Sequence, residues 1–177
     1  GLDRSTNGID DDGNGYVDDY WGYDFGHDDN QPHGKDIIIL DNRDTNHVSV
    51  VGAWATYSNA VLSGHGPDYL SDGNTGKGAK SVTFDFGGMI PVTAKWKVAI
   101  RCPAIASAAT NVRVEVTHSD IDGYGDETST NAINMLSGGG VWIPVGTYVI
   151  DASSPDGRVP IFNDDQEGEV VLDAVQI

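Results

Sequence analysis

Acidic residues near the start of the chain have the types and the spacing of a calcium-binding loop. Between Asp10 and Asp19, five aspartates and two glycines fall within ten residues, a density of charge that cannot be buried without a counter-charge. Calcium takes about six to eight oxygen ligands, and its loops place Asp or Asn at alternate positions with a glycine at the bend. The predicted ligands are Asp10, Asp12, Asn14, the carbonyl of Tyr16, Asp18 and Asp19.

The order of these residues matches the first half of an EF-hand loop, in which alternating oxygen donors precede a glycine. Gly15 stands at that glycine position, but Trp21 occupies the position of the closing glutamate. Asp18 or Asp19 would therefore have to complete the coordination shell. A solvated acidic turn without a metal ion is the alternative interpretation.

The charge balance narrows the classes of partner. The 177 residues include 27 acidic and 10 basic side chains, for a formal net charge of −17, which argues against nucleic acid and anionic membrane surfaces as partners. No apolar run is long enough for a membrane span, and a single cysteine, Cys102, allows no internal disulfide. Because the chain starts at Gly1 rather than Met, we expect a processed or excised form of an extracellular protein.

From residue 37 onward, short runs of β-branched and aromatic residues alternate with turn residues. The alternation is clearest for Val112, Val114 and Val116, which are separated by polar residues. The pattern predicts about eight to ten strands, no clear helix and an all-β fold, a β-sandwich of jelly-roll type. This sandwich is predicted over residues 37–177, after an irregular, acidic and aromatic calcium-binding arm over residues 1–36. The predicted strands are 37–40, 48–54, 79–86, 91–101, 111–118, 141–150, 158–162 and 169–177.

Part of the arm resembles a segment of a known enzyme family. Residues 7–25, NGIDDDGNGYVDDYWGYDF, are similar to the stretch that follows the catalytic aspartate in secreted subtilisin-like proteases. In that family the chain continues to a His-Gly-Thr-His motif, which does not occur here, and the region of the nucleophilic serine is absent as well. The resemblance therefore implies a calcium loop and no protease active site.

Short landmark segments follow one another along the body of the chain, at 40–42, 52–56, 66–70, 76–78, 92–98, 109–116, 139–148 and 171–177. With these landmarks the body resembles the golvesin C-terminal-like domain, which is also found at the end of bacterial xanthan lyases. The resemblance implies a β-sandwich similar to carbohydrate-binding modules, without catalytic activity, in an accessory, adhesive or structural role outside the cell. One departure is that the glutamine expected before the Gly-Gly-x-Trp element is missing from the stretch 130–135.

Other residues form weaker candidate sites. A second acidic, glycine-rich loop offers four carboxylates to a metal ion, although a solvated hairpin tip is the competing interpretation. Aromatic and acidic residues outside the apolar runs are candidates for contacts to a glycan, whereas Trp54, Trp96 and Trp142 are predicted to lie in the core. The weaker metal ligands are Asp120, Asp122, Asp126 and Glu127, and the glycan contacts are Tyr57, Asp68, Tyr69 and Tyr124.

The sequence favours a non-catalytic, extracellular, calcium-binding β-sandwich that acts in adhesion or assembly, with a polysaccharide or a cell-surface glycan as its partner. The alternative is a structural subunit of an extracellular filament or surface layer, which self-associates when its N-terminal arm packs on a neighbouring copy. An accessory module of a secreted protease or polysaccharide lyase is less favoured. Nucleic acid is not expected as a partner.

Overall fold

The predicted strand-forming runs do form strands in the computed structural model, which describes residues 37–59, 63–120, 125–152, 156–164 and 167–177. The chain divides into two compact units, Gly1–Ile37 and Ile38–Ile177. The calcium loop between Asp10 and Asp19 lies outside the described residues and stays a prediction. The same holds for Asp122 and Tyr124 in the second loop.

Within the described ranges there are twelve strands and one short helix. They are β1 (Ile39–Asp41), β2 (Val48–Val51), β3 (Ala55–Ser58), β4 (Asp68–Ser71), β5 (Ser81–Asp85), β6 (Ala94–Arg101), β7 (Val112–Ser119), β8 (Asp126–Ile133), α1 (Met135–Gly138), β9 (Trp142–Ile150), β10 (Arg158–Phe162), β11 (Val171–Leu172) and β12 (Ala174–Gln176).

Nine of these strands form one antiparallel sheet, in the order β1-β12-β6-β9-β7-β10-β5-β2, with β8 also paired to β7. Strands β7 and β9 meet at Ser119 and Val149, so this short junction joins the two halves of the sheet. The other three strands form a small sheet in the order β11-β4-β3. The arrangement confirms the predicted all-β sandwich.

Side chains from both halves of the large sheet fill one core. Phe84 on β5, Val114 on β7 and Ile161 on β10 are fully buried, and so is Ile100 on β6, in the other half. Because successive side chains of a strand point to opposite faces, the residues between the valines of β7 lie on the outer face. That outer face carries the groove described below.

Three features differ from the sequence prediction. Only residues 48–51 of the predicted run 48–54 form a strand, because Gly52 adopts a φ of +83°, which favours glycine and turns the chain between β2 and β3. Strand β4 lies in a stretch predicted to be loop. Strand β8 escaped prediction because its sequence, DETSTNAI, is almost wholly polar, as suits a largely exposed outer strand.

The four-residue helix α1 was also not predicted. Its first turn is capped by the side chain of Asn134, which accepts a hydrogen bond from the backbone N–H of Ser137 at 2.9 Å. Within the part of the chain that the structure describes, no helix is long and apolar enough to cross a membrane.

Candidate functional site

A polar groove of about 370 Å³ lies on the outer face of the large sheet, across β7 and β8 and the residues after β10. The strand register explains why these residues meet. Arg113 is directly opposite Ala132, and Ile161 of β10 is opposite Val114, so the outward side chains of β7 and β8 lie beside the residues that follow β10. Five of the six lining residues can form side-chain hydrogen bonds: the lining is Asn111, Arg113, Thr130, Asn131, Ala132 and Asp164.

Arg113 is held rigidly in this groove. Its Nε and Nη2 atoms donate to the two carboxylate oxygens of Asp164, the second over 3.1 Å, and its Nη1 donates to Glu115. The guanidinium carbon lies 3.5 Å from the centroid of the Phe162 ring, a cation–π contact. The hydrogen bond to Asp164 raises the pKa of Arg113. Since a guanidinium has five N–H groups, about two remain available to a ligand.

The amide of Asn131 is also fixed. Its Nδ2 donates to the hydroxyl of Tyr148 at 2.8 Å, and Tyr148 in turn packs against His118, with ring centroids 4.9 Å apart. His118 is buried, with Nδ1 2.6 Å from the carbonyl of Ser119. This chain of contacts supports the β8 side of the groove from within the protein.

Two of the predicted glycan contacts meet on the small sheet. Tyr57 on β3 is directly opposite Tyr69 on β4, and their rings stack with centroids 5.7 Å apart. Tyr57 is 50% exposed, whereas Tyr69, beneath it, is only 7% exposed. Burial, the charge of Glu169 and the neighbouring Tyr57 raise the pKa of Tyr69.

Asp68, the third predicted contact, does not join the tyrosine pair. It precedes Tyr69 on β4, so its side chain points to the opposite face of the small sheet. There its Oδ1 accepts a hydrogen bond from Asn42 Nδ2 at 2.9 Å, and its Oδ2 lies 3.8 Å from Arg43 Nε. Asp68 therefore braces the turn after β1.

A further polar cluster anchors the loop before β4. The fully buried Asp173 accepts hydrogen bonds from Asn59 Nδ2 at 2.7 Å, from the backbone N–H of His65, and from the backbone N–H of Gly66 at 3.4 Å. Burial raises the pKa of Asp173. His65 Nδ1 also lies 3.4 Å from Asp41 Oδ2. The donors around Asp173 are used to hold this loop in place.

The three predicted core tryptophans differ in their surroundings. Trp96 is buried at 3% exposure, and Trp54 is partly buried against the core. Trp142 is only partly buried and instead contacts polar neighbours, with Arg101 Cζ 5.8 Å from its ring centroid and the His65 ring at 5.8 Å. Trp142 therefore packs on the loop before β4, to which His65 belongs.

The second acidic loop remains a candidate for metal binding only from its sequence. Asp126 and Glu127 are exposed at the start of β8, and the backbone N–H of Asp120 donates to the Gly125 carbonyl at 2.9 Å. Among the residues with described positions, no group of three or more His, Cys, Asp or Glu side chains could hold a metal ion. Asp122 lies outside those positions.

Comparison with known families identifies the sandwich. Residues 38–177 match the family described as the Golvesin C-terminal domain. The chain belongs to that family. This match confirms the golvesin resemblance seen in the sequence, while the subtilisin-like resemblance of residues 7–25 stays a prediction.

The golvesin domain is similar to part of two xanthan lyases. The xanthan lyase of Bacillus sp. strain GL1 is 38% identical over 142 residues, which cover 78% of this chain and 14% of that protein. The solved xanthan lyase of Paenibacillus is 40% identical, with a TM-score of 0.70, over 80% of this chain and 13% of that one. The chain thus spans about one seventh of the length of either relative.

Two further solved structures match at lower similarity. The endo-1,4-β-D-xylanase 10B of Clostridium thermocellum, solved with xylohexaose, is 11% identical with a TM-score of 0.47, over 75% of this chain and 26% of that one. The exo-β-1,3-galactanase of Phanerochaete chrysosporium, solved with β-1,3-galactotriose, is 16% identical with a TM-score of 0.46, over 79% and 29%.

Proposed function

We propose that the chain is a non-catalytic extracellular module that binds a polysaccharide or a cell-surface glycan in the Arg113 groove, and that this binding serves adhesion or assembly. The observation that carries the proposal is the groove itself. The side chains of Asn111, Thr130 and Asp164 lie around the Arg113 guanidinium, whose orientation is fixed by Asp164, Glu115 and Phe162. A ligand rich in hydroxyl groups needs such a set of directed donors and acceptors.

The charges around the groove favour a neutral glycan over an acidic one. Arg113 already pairs with two carboxylates, those of Asp164 and Glu115, so little positive charge remains to attract an anion. The whole chain carries a formal net charge of −17, and this field would slow the approach of an anionic polymer.

The similarity to xanthan lyases supports a role in polysaccharide binding without implying the lyase reaction. Those enzymes act on xanthan, as their names state, but the matched region is only 14% of the Bacillus protein and 13% of the Paenibacillus protein. We therefore assign glycan binding to this module and no catalytic step.

Glycan binding can be tested with a pair of matched threonine variants. Thr130→Ala removes a hydroxyl that lines the groove, whereas Thr128→Ala removes one from the same face of β8, two residues away and outside the groove. Loss of one hydrogen bond should weaken binding about two- to tenfold in Thr130→Ala and leave Thr128→Ala unchanged. Affinity electrophoresis in gels that contain neutral or acidic polysaccharides measures this difference.

Two outcomes would contradict the proposal. One is a lack of binding to every neutral polysaccharide on a broad glycan array. The other is equal weakening in both threonine variants, which would place the ligand elsewhere on β8. Chemical-shift changes on titration with the bound glycan should be centred on Asn111, Arg113 and Asp164.

Calcium binding by the arm is a second part of the proposal, supported by sequence alone. The alternating oxygen donors Asp10, Asp12 and Asn14, followed by Tyr16, Asp18 and Asp19, suit a hard cation. Secretion fits this assignment, since an extracellular medium supplies calcium.

A structural subunit of a filament or surface layer is the second candidate function, and strand β3 favours it. β3 is the outer strand of the small sheet, all four of its residues are exposed, and it contains no charge and no proline. Charged residues and prolines commonly protect the edges of sheets against pairing. Because β3 lacks both, a segment from a neighbouring copy can pair with this edge. Size-exclusion chromatography of the full chain with calcium tests the idea, and a strictly monomeric particle at high concentration would contradict it.

A further inference from the structure

Glu169 presents a carboxylate that is fixed in position and that forms no ion pair with the described residues. Its Oε1 accepts a hydrogen bond from Ser71 Oγ at 2.6 Å, and its Oε2 accepts one from Ser107 Oγ at 2.7 Å. Among the ion pairs within the described ranges, none includes Glu169. A carboxylate has about four lone-pair positions, so the two serine hydroxyls orient it and leave about two positions for a ligand.

The backbone around Glu169 is also fixed. Its N–H donates to the carbonyl of Ser107 at 2.7 Å, and its carbonyl accepts from the N–H of Ala109 at 2.8 Å. On either side, Lys77 Nζ donates to the Gly168 carbonyl at 2.6 Å and the N–H of Val170 donates to Asp72 at 3.0 Å. The carboxylate is therefore held by the fold before any ligand arrives.

The exposed ring of Tyr57 lies on the same face as this carboxylate. Tyr57 is opposite Tyr69, and Ser71 is two residues further along β4, so the side chains of Tyr69 and Ser71 point to the same side. A rise of about 3.3 Å per residue separates these two positions by about 7 Å along the strand. Because Ser71 contacts Glu169 directly, the half-exposed ring and the carboxylate flank one patch of surface.

We propose that Tyr57 and Glu169 form a binding site for a protonated primary amine, carried either by an amino sugar or by a lysine side chain. An ammonium group forms strong charge-assisted hydrogen bonds with a carboxylate, and the face of an aromatic ring attracts cations. The net charge of −17 favours the approach of a cationic ligand. The site shares no residue with the Arg113 groove and takes a cationic ligand, whereas the groove takes a neutral one.

Calorimetric titration of the full chain tests this site, with an oligomer of glucosamine and an oligomer of lysine as the two probes. The fully N-acetylated oligomer is the uncharged counterpart of the first probe. Glu169→Gln should weaken amine binding by at least about tenfold, since a hydrogen bond to a charged group is lost. Glu167→Gln removes the same charge at an exposed position two residues away and should change affinity by less than about twofold.

Tyr57→Leu provides a second test, because this exposed ring can be replaced with little effect on folding. It should weaken amine binding by about two- to fivefold, the value of an exposed cation–π contact. Binding of either amine probe with this pattern supports the proposal, and the tighter probe identifies the source of the amine.

Three results would overturn the proposal: no binding of either probe, equal binding of the N-acetylated oligomer, or equal losses in Glu169→Gln and Glu167→Gln. Equal losses would mean that the overall negative charge of the protein, rather than the Glu169 carboxylate, attracts the amine. Thr130→Ala should leave amine binding unchanged, so failure of the groove and failure of this site are distinguishable.

Discussion

Replacing Lys77 by methionine should cost about 3 kcal/mol of folding free energy, because it leaves a buried carboxylate without its cation. The side chain of Asp72 is fully buried and lies 2.9 Å from Lys77 Nζ. Asp72 also accepts hydrogen bonds from the N–H of Asn74 at 2.8 Å, from Asn163 Nδ2 at 3.1 Å and from the N–H of Val170 at 3.0 Å. Burial by itself would raise the pKa of Asp72, but the hydrogen bonds from Lys77, Asn74, Asn163 and Val170 outweigh it and lower the pKa.

The size of the effect follows from burial. Removing one partner of a buried ion pair costs about 3–5 kcal/mol, and the low end applies because the Lys77 side chain is still 18% exposed. At about 2–4 °C per kcal/mol for a domain of this size, the melting temperature should fall by roughly 6–12 °C. Lys80→Met is the matched control. Among the described residues, Lys80 Nζ donates to neutral acceptors, the Asp72 carbonyl at 2.8 Å and Thr75 Oγ1 at 3.2 Å, and its loss should cost about 1 kcal/mol.

Urea unfolding followed by tryptophan fluorescence measures both variants, near neutral pH and in acid. A carboxyl whose folded pKa is lowered contributes its full stability above its unfolded pKa of about 3.9 and loses it as the pH falls through the folded pKa. Without Lys77, burial of Asp72 favours the protonated form at a higher pH. The gap between wild type and Lys77→Met should therefore narrow in acid. Equal costs for the two lysine variants, or a gap that does not change with pH, would refute this reasoning.

Three further predictions follow from other parts of the chain. Removal of calcium by a chelator should lower the melting temperature of the full chain, since a ligand bound only by the native state stabilises it, and an unchanged melting curve would contradict the calcium assignment. Burial raises the pKa of Cys102 to about 12, so alkylation by iodoacetamide at neutral pH should proceed only after unfolding; rapid reaction of the native protein would disprove the burial. The raised pKa of Asp173 predicts the opposite pH trend to that of Asp72. Between its unfolded pKa of about 3.9 and its higher folded pKa, the folded state binds more protons and stability falls as the pH rises. Asp173→Asn should therefore cost less in urea unfolding at neutral pH than near pH 4, and a pH-independent cost would argue against this assignment.

The strands with strong alternation could be predicted from the sequence. Residues 158–162 form β10 with the predicted bounds, and β7 differs from its prediction by one residue at each end. The valines of β7 made its inner face recognisable. Strand β8 gave no such signal, because it lies opposite β7 at the outer side of the sheet with few apolar residues.

The binding surfaces were harder to predict because they depend on pairing between distant segments. Arg113 was recognisable as an outward residue of β7, but the groove requires Thr130 beside it, on the strand that the sequence did not reveal. The sequence indicates Tyr57 and Tyr69 as separate contacts, and only the pairing of β3 with β4 makes them a stack. Glu169 meets Ser71 across 98 residues of sequence, a contact that no local pattern indicates.

The buried ion pair and the proposed amine site are physically connected. Lys77 donates to the carbonyl of Gly168, and Asp72 accepts from the N–H of Val170, so the two residues that flank Glu169 are both bonded to the pair. Glu169 itself touches neither charge. Loss of the pair would free the backbone on both sides of the carboxylate. The carboxylate would then become ordered only on binding, which would weaken the affinity for the amine. The stability of this loop and the affinity of the amine site therefore depend on the same few hydrogen bonds, which explains how a residue remote from the ligand can still set its affinity.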